Sequence, residues 1–511
     1  PLRQRLQQLG GGLCSLAQHG IVQPPVGQGQ LGRGFALGGV VRLATGQVRV
    51  DDELPDDLQP GAPEDRERRI LDWLSDTPIE LASMGAVYDN LHIGDAAPLA
   101  LSRPYEAQAR DLKDRFPDEA EAIDAWIAAL KEGREAILKV TMTRAMPEII
   151  GSALKWWHSH AIERWCKRTT QEVIDEITGN PELAAAFAAQ WFDHGGRPSK
   201  ASFAMHALIT GAYLESGAWY PKGGGAAFAD HILPTITKAG GEARANTKVE
   251  TLLVEDGRVV GVRTVQGEDI RADAVISDIG ARETVNHLLP ADCGHQDWID
   301  EVRGLPHSVA HFSLFVGFEG DIERAGATRS NHWIYPGGKV DVVWTDAPDS
   351  PPPGLFVSFA SLKDPGHDPG PSQKYAGEIV AWADWSVVEK WAHMEPGARG
   401  EDYQALKARI EDAMFAQFEA YFPELAKLVV FRNLSTPLTT RAITGHHKGA
   451  FYGIDTTPER LMSEALQTRT PVPGLFLAGQ DVLSPGIPGA LWGGVLAAAT
   501  VDPGLFRQLP G

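Results

Sequence analysis

The feature that most constrains the fold of this chain lies near its C-terminus, at residues 474–500. Apolar residues 475–478 are typical of a buried strand, and Gly479 and Asp481 follow at once in a Gly-x-Asp pattern. A glycine- and proline-rich turn comes next, and a helix of small residues is predicted over 493–500. Because a helix N-terminus offers N–H groups and a partial positive charge, this arrangement suits a dinucleotide. The alternative is an ordinary strand–turn–helix corner of an α/β core.

A second segment has the same α/β character. Residues 217–225 are rich in glycine, and a helix is predicted from 226 to 239. Strands are predicted over 243–254 and 259–265, and the Asp-Gly pair at 256–257 between them is a strong hairpin signal. By itself this segment would be an ordinary part of many α/β folds.

A third feature, Gly-Ala-Phe-Tyr-Gly at 449–453, completes a pattern that resembles a known family. The matching stretches, in the expected order, are 203–208, 219–225, 274–281, 361–365, 435–439 and 477–481. Together they resemble the phytoene desaturase family of flavoproteins over roughly residues 65–496. The Gly-Gln-Asp form of the last stretch is most similar to the retinol saturase branch.

The resemblance implies an FAD-dependent oxidoreductase that acts on carbon–carbon bonds of a polyene or isoprenoid. It implies that Asp481, after Gly479, bonds the ribityl chain of FAD. The residues expected at the flavin ring edge are Pro488, Gly489 and Ala490. The backbone of Val249 would form hydrogen bonds with the adenine of FAD. The alternative is that Val249 is simply a core residue of its strand.

The N-terminal segment departs from this family. A strand, a Gly-x-Gly-x-x-Gly turn and a helix are expected there, with an acid about 20 residues later. The glycines at 10–12 follow no apolar strand, and residues 1–62 have little apolar periodicity. We therefore expect this front end to be truncated or frame-shifted, with a real but diverged domain as the alternative.

The predicted fold class is α/β, with two parts. A discontinuous, glutathione-reductase-like FAD-binding domain is expected from 215–305 and 425–500. A mixed sheet-and-helix substrate domain is expected from 64–214 and 306–424. A chain of 511 residues is long enough for two such domains.

Composition indicates which binding partners and which cellular compartment suit this protein. A net charge of −20 argues against nucleic-acid binding, because phosphate contacts need a basic face. The cysteines Cys14, Cys166 and Cys293 are far apart, which indicates a reducing compartment and predicts a cytoplasmic protein without a signal peptide. Tryptophan and basic residues alternate over 149–169, a pattern that suits peripheral contact with the inner face of a membrane or, alternatively, a helix with an aromatic core face.

Candidate catalytic groups are few, since flavin carries the redox step. His206 and Tyr452 are weak candidates for proton transfer, and His446 and His447 are further candidates that we expect to be solvent-exposed. Their spacing predicts no metal site.

Two other functions are open. A flavin amine oxidase of the same fold would need an aromatic cage and a lysine at the flavin, for which the sequence shows no clear candidate. The second alternative is a non-catalytic remnant that binds no flavin, because the N-terminal glycine motif is missing.

Overall fold

The protein has an α/β fold built around one large mixed sheet. The structure, a computed structural model, describes residues 66–144 and 158–510, so the predicted atypical segment 1–62 lies outside the described residues. The strands are β1 (Leu81–Ser83), β2 (Val87–Ile93), β3 (Leu99–Ser102), β4 (Trp219–Pro221), β5 (Val249–Glu255), β6 (Arg258–Thr264), β7 (Asp269–Arg271), β8 (Val275–Ser277), β9 (Ala310–Glu319), β10 (Asn331–Tyr335), β11 (Leu355–Ser358), β12 (Lys374–Ala383), β13 (Val429–Ser435) and β14 (Leu475–Leu477).

Helices cover the sheets and connect them. The longer ones are α1 (Arg66–Leu74), α2 (Tyr105–Arg115), α3 (Ala120–Arg144), α4 (Thr170–Ile177), α5 (Pro181–Ala188), α6 (Phe203–Ser216), α7 (Ala226–Lys238), α8 (Gln296–Gly304), α9 (Gly400–Tyr421), α10 (Pro437–Thr444), α11 (Pro458–Met462) and α12 (Gly486–Val501). Shorter helical turns include Trp191–Asp193, Ala281–Glu283 and Ala360–Lys363.

The large sheet has seven strands in the order β13-β9-β12-β11-β10-β2-β3. Its strands pair antiparallel except β10 and β2, which run parallel. Both faces are buried. Trp333 and Tyr335 of β10 pack into the core beneath α3 and α6, whereas Ile334 between them packs into the core beneath α9. This alternation follows from the two-residue period of a strand.

Two smaller sheets form the region that the sequence assigns to cofactor binding. β14 pairs in parallel with β8, and β5, β6 and β7 form an antiparallel sheet. Asp256 and Gly257 both have positive φ, at +49° and +73°, so they form the tight turn of the predicted hairpin.

Several elements cross the predicted boundary between the domains, and β13 and α1 are clear examples. β13 falls within 425–500 but pairs with β9 in the large sheet. Helix α1, assigned to the substrate part, packs instead on α12: Arg66 lies over the ring of Trp492 at 4.9 Å, and the Trp492 indole N–H donates to Glu67 at 3.0 Å. Long-range packing therefore ties these segments to parts of the chain that sequence order alone does not indicate.

The Trp-rich segment is described only from residue 158. Trp165 is 7% exposed and packs against Phe203 with ring centroids 5.4 Å apart, and the Arg164 guanidinium lies over the Trp165 ring at 4.7 Å. Trp156 and Trp157 lie outside the described residues. The aromatic-core interpretation is therefore supported for Trp165. Among the described residues no helix is both long and apolar enough to cross a bilayer.

The buried sheet should dominate stability. Leu314, in the centre of β9, is fully buried, so Leu314→Ala should lower the free energy of unfolding by about 2–5 kcal/mol through lost burial and a residual cavity. The control is Val430→Ala in the neighbouring β13, because the Val430 side chain is 54% exposed. Denaturant unfolding should show a change within about 0.5 kcal/mol for the control. Equal losses for both variants would contradict the assigned packing.

Candidate functional site

The Gly-x-Asp turn after β14 brings three chain segments together. Gly479 has φ +81°, a conformation that favours glycine, and Asp481 two residues later is 4% exposed. One carboxylate oxygen of Asp481 accepts the backbone N–H of Ala281 at 2.8 Å, and the other accepts that of Ile454 at 3.3 Å. Because a carboxylate has about four acceptor positions, both oxygens keep capacity for a further donor.

Glycines allow the surrounding backbone to approach this turn closely. A Cβ at Gly453 would lie 2.9 Å from an Asp481 carboxylate oxygen. A Cβ at Gly489 would lie 1.8 Å from the Ser484 carbonyl oxygen, and one at Gly493 would lie 2.4 Å from the Gly479 carbonyl oxygen. The start of α12 therefore rests directly on the Gly-x-Asp turn, as a strand–turn–helix unit requires.

A narrow crevice opens beside Asp481. Its volume is about 10 Å³, which is roughly the space that one bound water needs. Arg282 lines the crevice, is 8% exposed, and has buried Nε and Nη2 atoms with no hydrogen-bond partner among the described residues. Burial lowers the pKa of Arg282, and the nearby carboxylates of Asp481 and Glu283 oppose that shift. The unpaired donors fit an anionic ligand such as the phosphates of a dinucleotide.

The two candidate histidines also line this crevice. His446 is 2% exposed and bonds the Ala450 carbonyl oxygen through Nδ1 at 2.9 Å, so the prediction that both histidines are solvent-exposed is wrong. The backbone N–H of His447 donates to Glu283 at 2.8 Å, and burial, assisted by the positive charge of Arg282, lowers the pKa of His447 to about 4. Long-range packing against the 281–283 turn buries a pair that would be exposed in an isolated loop.

A much larger cavity of about 480 Å³ adjoins the α12 N-terminus. Pro485, Gly486, Ile487, Pro488 and Leu491 form one wall. The opposite walls are largely aromatic and apolar, and they include Phe192, Tyr213, Trp219, Tyr220, Trp333, Phe356, Phe451 and Tyr452. The volume and lining are typical of a small-molecule site.

One wall of this cavity is charged. Lys363, only 7% exposed, donates to Ser358 at 2.7 Å and to Asn331, and burial lowers the pKa of its ammonium to about 8. Asp193 and Glu378 also line the cavity, and both interact electrostatically with Lys363. Glu67 and Arg68 are the other charged residues of the lining. Lys363 lies within the family-like stretch 361–365, but no motif predicted that it would meet Asp193 and Glu378. The three residues are separated in the chain and come together only through the folding of the large sheet. The sequence offered one signal for such residues, namely a charged residue that interrupts an apolar run, as Glu378 does within 375–383.

The structure brings some of the predicted site residues together and separates others. Tyr452 and Pro488 line the large cavity, Asp481 lines the crevice, and Ala490 is the fifth residue of α12. Val249, the first residue of β5, is 9% exposed within the core of the smaller sheets.

His206 lies apart from both openings. It is fully buried, bonds His194 at 3.1 Å and the Phe187 carbonyl oxygen at 3.0 Å, and burial lowers its pKa to about 4. The neutral imidazole of His206 is held by these two hydrogen bonds and forms part of the core beneath the cavity.

The contact between α12 and the turn can be tested with two adjacent glycines. Gly493→Ala should lower the free energy of unfolding by about 1–3 kcal/mol, because the new methyl group would overlap the Gly479 backbone. Gly494→Ala is the control, since nothing lies within 4 Å of its Cβ position, and alanine there should be neutral or stabilising by up to about 1 kcal/mol. Thermal melting of the two variants measures the difference. The same melting midpoint for both would argue against the close contact between helix and turn.

Comparisons with known proteins agree with this geometry. Residues 85–374, more than half of the chain, match the family model described as flavin containing amine oxidoreductase. The chain is 28% identical over 459 residues to all-trans-retinol 13,14-reductase of Danio rerio, covering 85% of this chain and 75% of that protein. It is 25% identical over 379 residues to phytoene desaturase (lycopene-forming) of Pseudescherichia vulneris, covering 72% and 69% of the two chains. The resemblance predicted from the sequence is confirmed.

Solved structures share the fold. Cyclohexylamine oxidase from Brevibacterium oxydans IH-35A aligns with a TM-score of 0.52 at 14% identity, covering 84% of this chain and 83% of that one. A putrescine oxidase variant aligns with a TM-score of 0.53 at 12% identity, covering 86% and 84%. The predicted α/β fold class is confirmed, and the matched region establishes that this chain belongs to the flavin containing amine oxidoreductase family.

Proposed function

We propose that this protein is an FAD-dependent oxidoreductase that acts on carbon–carbon bonds of a polyene or isoprenoid. The observation that carries the proposal is the aromatic and apolar cavity of about 480 Å³ that adjoins the N-terminus of α12. A long conjugated hydrocarbon offers little except apolar surface and π-electrons, which aromatic walls match. The relatives named as a retinol reductase and a phytoene desaturase support the same substrate class.

The residues around the α12 N-terminus would hold FAD. Asp481 would accept hydrogen bonds from the ribityl hydroxyls with the acceptor capacity that its two backbone partners leave. Gly479 and Gly489 have no side chains that would block the approach of FAD beside Asp481. The Nε and Nη2 donors of Arg282, which have no hydrogen-bond partner among the described residues, fit the FAD phosphates. Pro488 and Ala490 would face the ring edge, and Val249 would meet the adenine. When bound, the flavin supplies or accepts the hydride.

The cavity itself would orient the substrate and exclude water. Phe451 and Tyr452 lie at right angles with ring centroids 4.5 Å apart, and Phe451 stacks on Phe192 at 4.9 Å. These packed rings give the apolar wall a fixed shape. The Tyr452 hydroxyl remains a candidate for proton transfer at this wall.

Amine oxidation is the second candidate, and one observation favours it. Lys363 and an aromatic wall occur in the same cavity, and these are the two features that an amine oxidase was expected to need. The ammonium of Lys363, however, disfavours a second cation beside it. The polyene is therefore the better match.

We also propose that the protein meets its lipid-soluble substrate by peripheral contact with a membrane. The basic and Trp-rich sequence of residues 149–169 supports this idea, although the Trp165 side chain is buried in the core. The division into cofactor and substrate domains stays a proposal as well, with β13 counted with the large sheet.

Flavin retention tests the cofactor site. The purified protein, incubated with FAD and desalted, should keep the flavin absorbance, and Asp481→Asn should bind FAD roughly 10- to 100-fold more weakly through loss of charge-assisted hydrogen bonds. Asp502→Asn, at the exposed far end of α12, is the control and should bind normally. A wild-type protein that retains no flavin would instead support the non-catalytic remnant. The relative named inactive all-trans-retinol 13,14-reductase from Danio rerio, also 28% identical, shows why this measurement is needed.

Substrate class is tested by mixing the flavin-loaded protein anaerobically with candidate substrates. We expect a change in the ultraviolet absorbance of retinol or phytoene, in the direction set by the flavin's redox state, and no reduction of oxidised flavin by primary amines. Rapid flavin reduction by an amine, with no polyene turnover, would favour the amine oxidase instead.

A further inference from the structure

Asp193 lies at the charged wall of the large cavity. It is the last residue of the helical turn Trp191–Asp193, and the preceding rings hold that turn in place: Trp191 donates to the Val340 carbonyl oxygen at 2.7 Å, and Phe192 stacks on Phe451. The Oδ2 atom of Asp193 is buried and has no hydrogen-bond partner among the described residues. The packed rings of Trp191 and Phe192 therefore hold Asp193 so that a carboxyl oxygen without a hydrogen-bond partner among the described residues lies at the cavity wall.

The surroundings of Asp193 favour the neutral form of its carboxyl group. Burial raises the pKa of Asp193 well above its usual range, the negative charge of Asp89 raises it further, and the ammonium of Lys363 lowers it in part. Electrostatic interactions link Asp193, Asp89 and Lys363 to one another and to the neighbouring titratable groups, which include Tyr88, Tyr213, His332, Tyr335 and Glu378.

Asp89 and Lys363 are held differently from Asp193. Asp89 accepts hydrogen bonds from Gln190, Asn331 and Trp333 at 2.8, 2.8 and 2.9 Å. Lys363 is bonded to Asn331 and Ser358. Asp89 thus has several donors that stabilise a carboxylate, whereas the buried oxygen of Asp193 has none among the described residues. Of the two carboxyls, Asp193 is the one suited to carry a proton into the cavity.

Resting on the proposed function, we propose that Asp193 is the proton donor when a carbon–carbon double bond is reduced in this cavity. The O–H bond of Asp193 breaks and a C–H bond forms at one alkene carbon, while the other carbon receives a hydride from reduced flavin. The two π-electrons form the bond to the proton, and the hydride brings its own pair. The products are a saturated carbon pair, oxidised flavin and the Asp193 carboxylate, which solvent reprotonates.

Lys363 acts as a positioning residue in this step. Its ammonium lies in the same wall and stabilises the carboxylate that proton donation leaves behind. The donor is lost as the pH rises through the raised pKa of Asp193, because the group is then already ionised. The charge that stabilises its conjugate base is lost above about pH 8, the lowered pKa of Lys363. Turnover should therefore fall on the alkaline side.

The first test is independent of turnover. Infrared spectra of the flavin-free protein at pH 7 should contain a protonated carboxylic acid band that Asp193→Asn removes. The control is Asp455→Asn: Asp455 is a buried carboxyl outside the cavity whose pKa burial raises only to about 6, so it is largely ionised at pH 7 and its removal should leave the band. A wild-type spectrum without the band, or a band unchanged in Asp193→Asn, would overturn the proposal.

The second test uses the flavin-loaded enzyme. Asp193→Asn should lower kcat for polyene reduction on the order of 10²- to 10⁴-fold with flavin retention unchanged, the usual range for a general acid. Asp193→Glu should recover part of the rate and keep the alkaline loss, whereas Asp455→Asn should resemble the wild type. If Asp193→Asn does not fold, the Asp193→Glu pH profile and the wild-type infrared titration decide the question.

The outcomes separate this inference from the function on which it rests. An active wild type and an equally active Asp193→Asn variant would overturn the role of Asp193 and leave the polyene function standing. A flavin-loaded wild type that changes no polyene would overturn both.

Discussion

The buried carboxylate of Asp481 is the interaction on which the candidate site depends. It accepts backbone N–H groups from Ala281, after β8, and from Ile454, so it joins two segments that are far apart in sequence. An unpaired buried backbone N–H costs free energy, and one side chain satisfies two of them here. The glycines at 453, 489 and 493 then let the neighbouring backbone close around the turn. The N-terminus of α12 is fixed as a result, and with it one wall of the cavity.

The large cavity combines an apolar interior with a small number of charges. Its lining is mainly aromatic and apolar, and the charged residues in it are Glu67, Arg68, Asp193, Lys363 and Glu378. Charges in such a place are costly unless partners or proton transfer neutralise them. Lys363 is compensated by two hydrogen bonds and by nearby carboxylates, and Asp193 by keeping its proton. Perturbed groups that share a cavity are more often functional than those scattered over a core.

Sequence reasoning predicted the local parts of this structure well. The strand before Gly479 and Asp481 and the Asp256–Gly257 hairpin have short-range signals, and both are present. The helix of small residues is also present, but it begins at Gly486 and not at the predicted residue 493. The charged wall could not be predicted, because Asp193, Asn331, Lys363 and Glu378 lie on different elements. The position of β13 and the burial of His446 also depend on long-range packing. His206 illustrates the converse, since a histidine within a family-like stretch can be a core residue.

An experimental structure of the protein with FAD and a bound polyene tests the central claim most directly. We expect the flavin ring against Pro485–Pro488, with its ribityl hydroxyls on Asp481 and the hydrocarbon along the aromatic wall of the cavity. The Asp193 carboxyl should lie within hydrogen-bonding range of the substrate's double bonds. Flavin bound elsewhere, or a cavity closed to the polyene while the cofactor is in place, would contradict that claim.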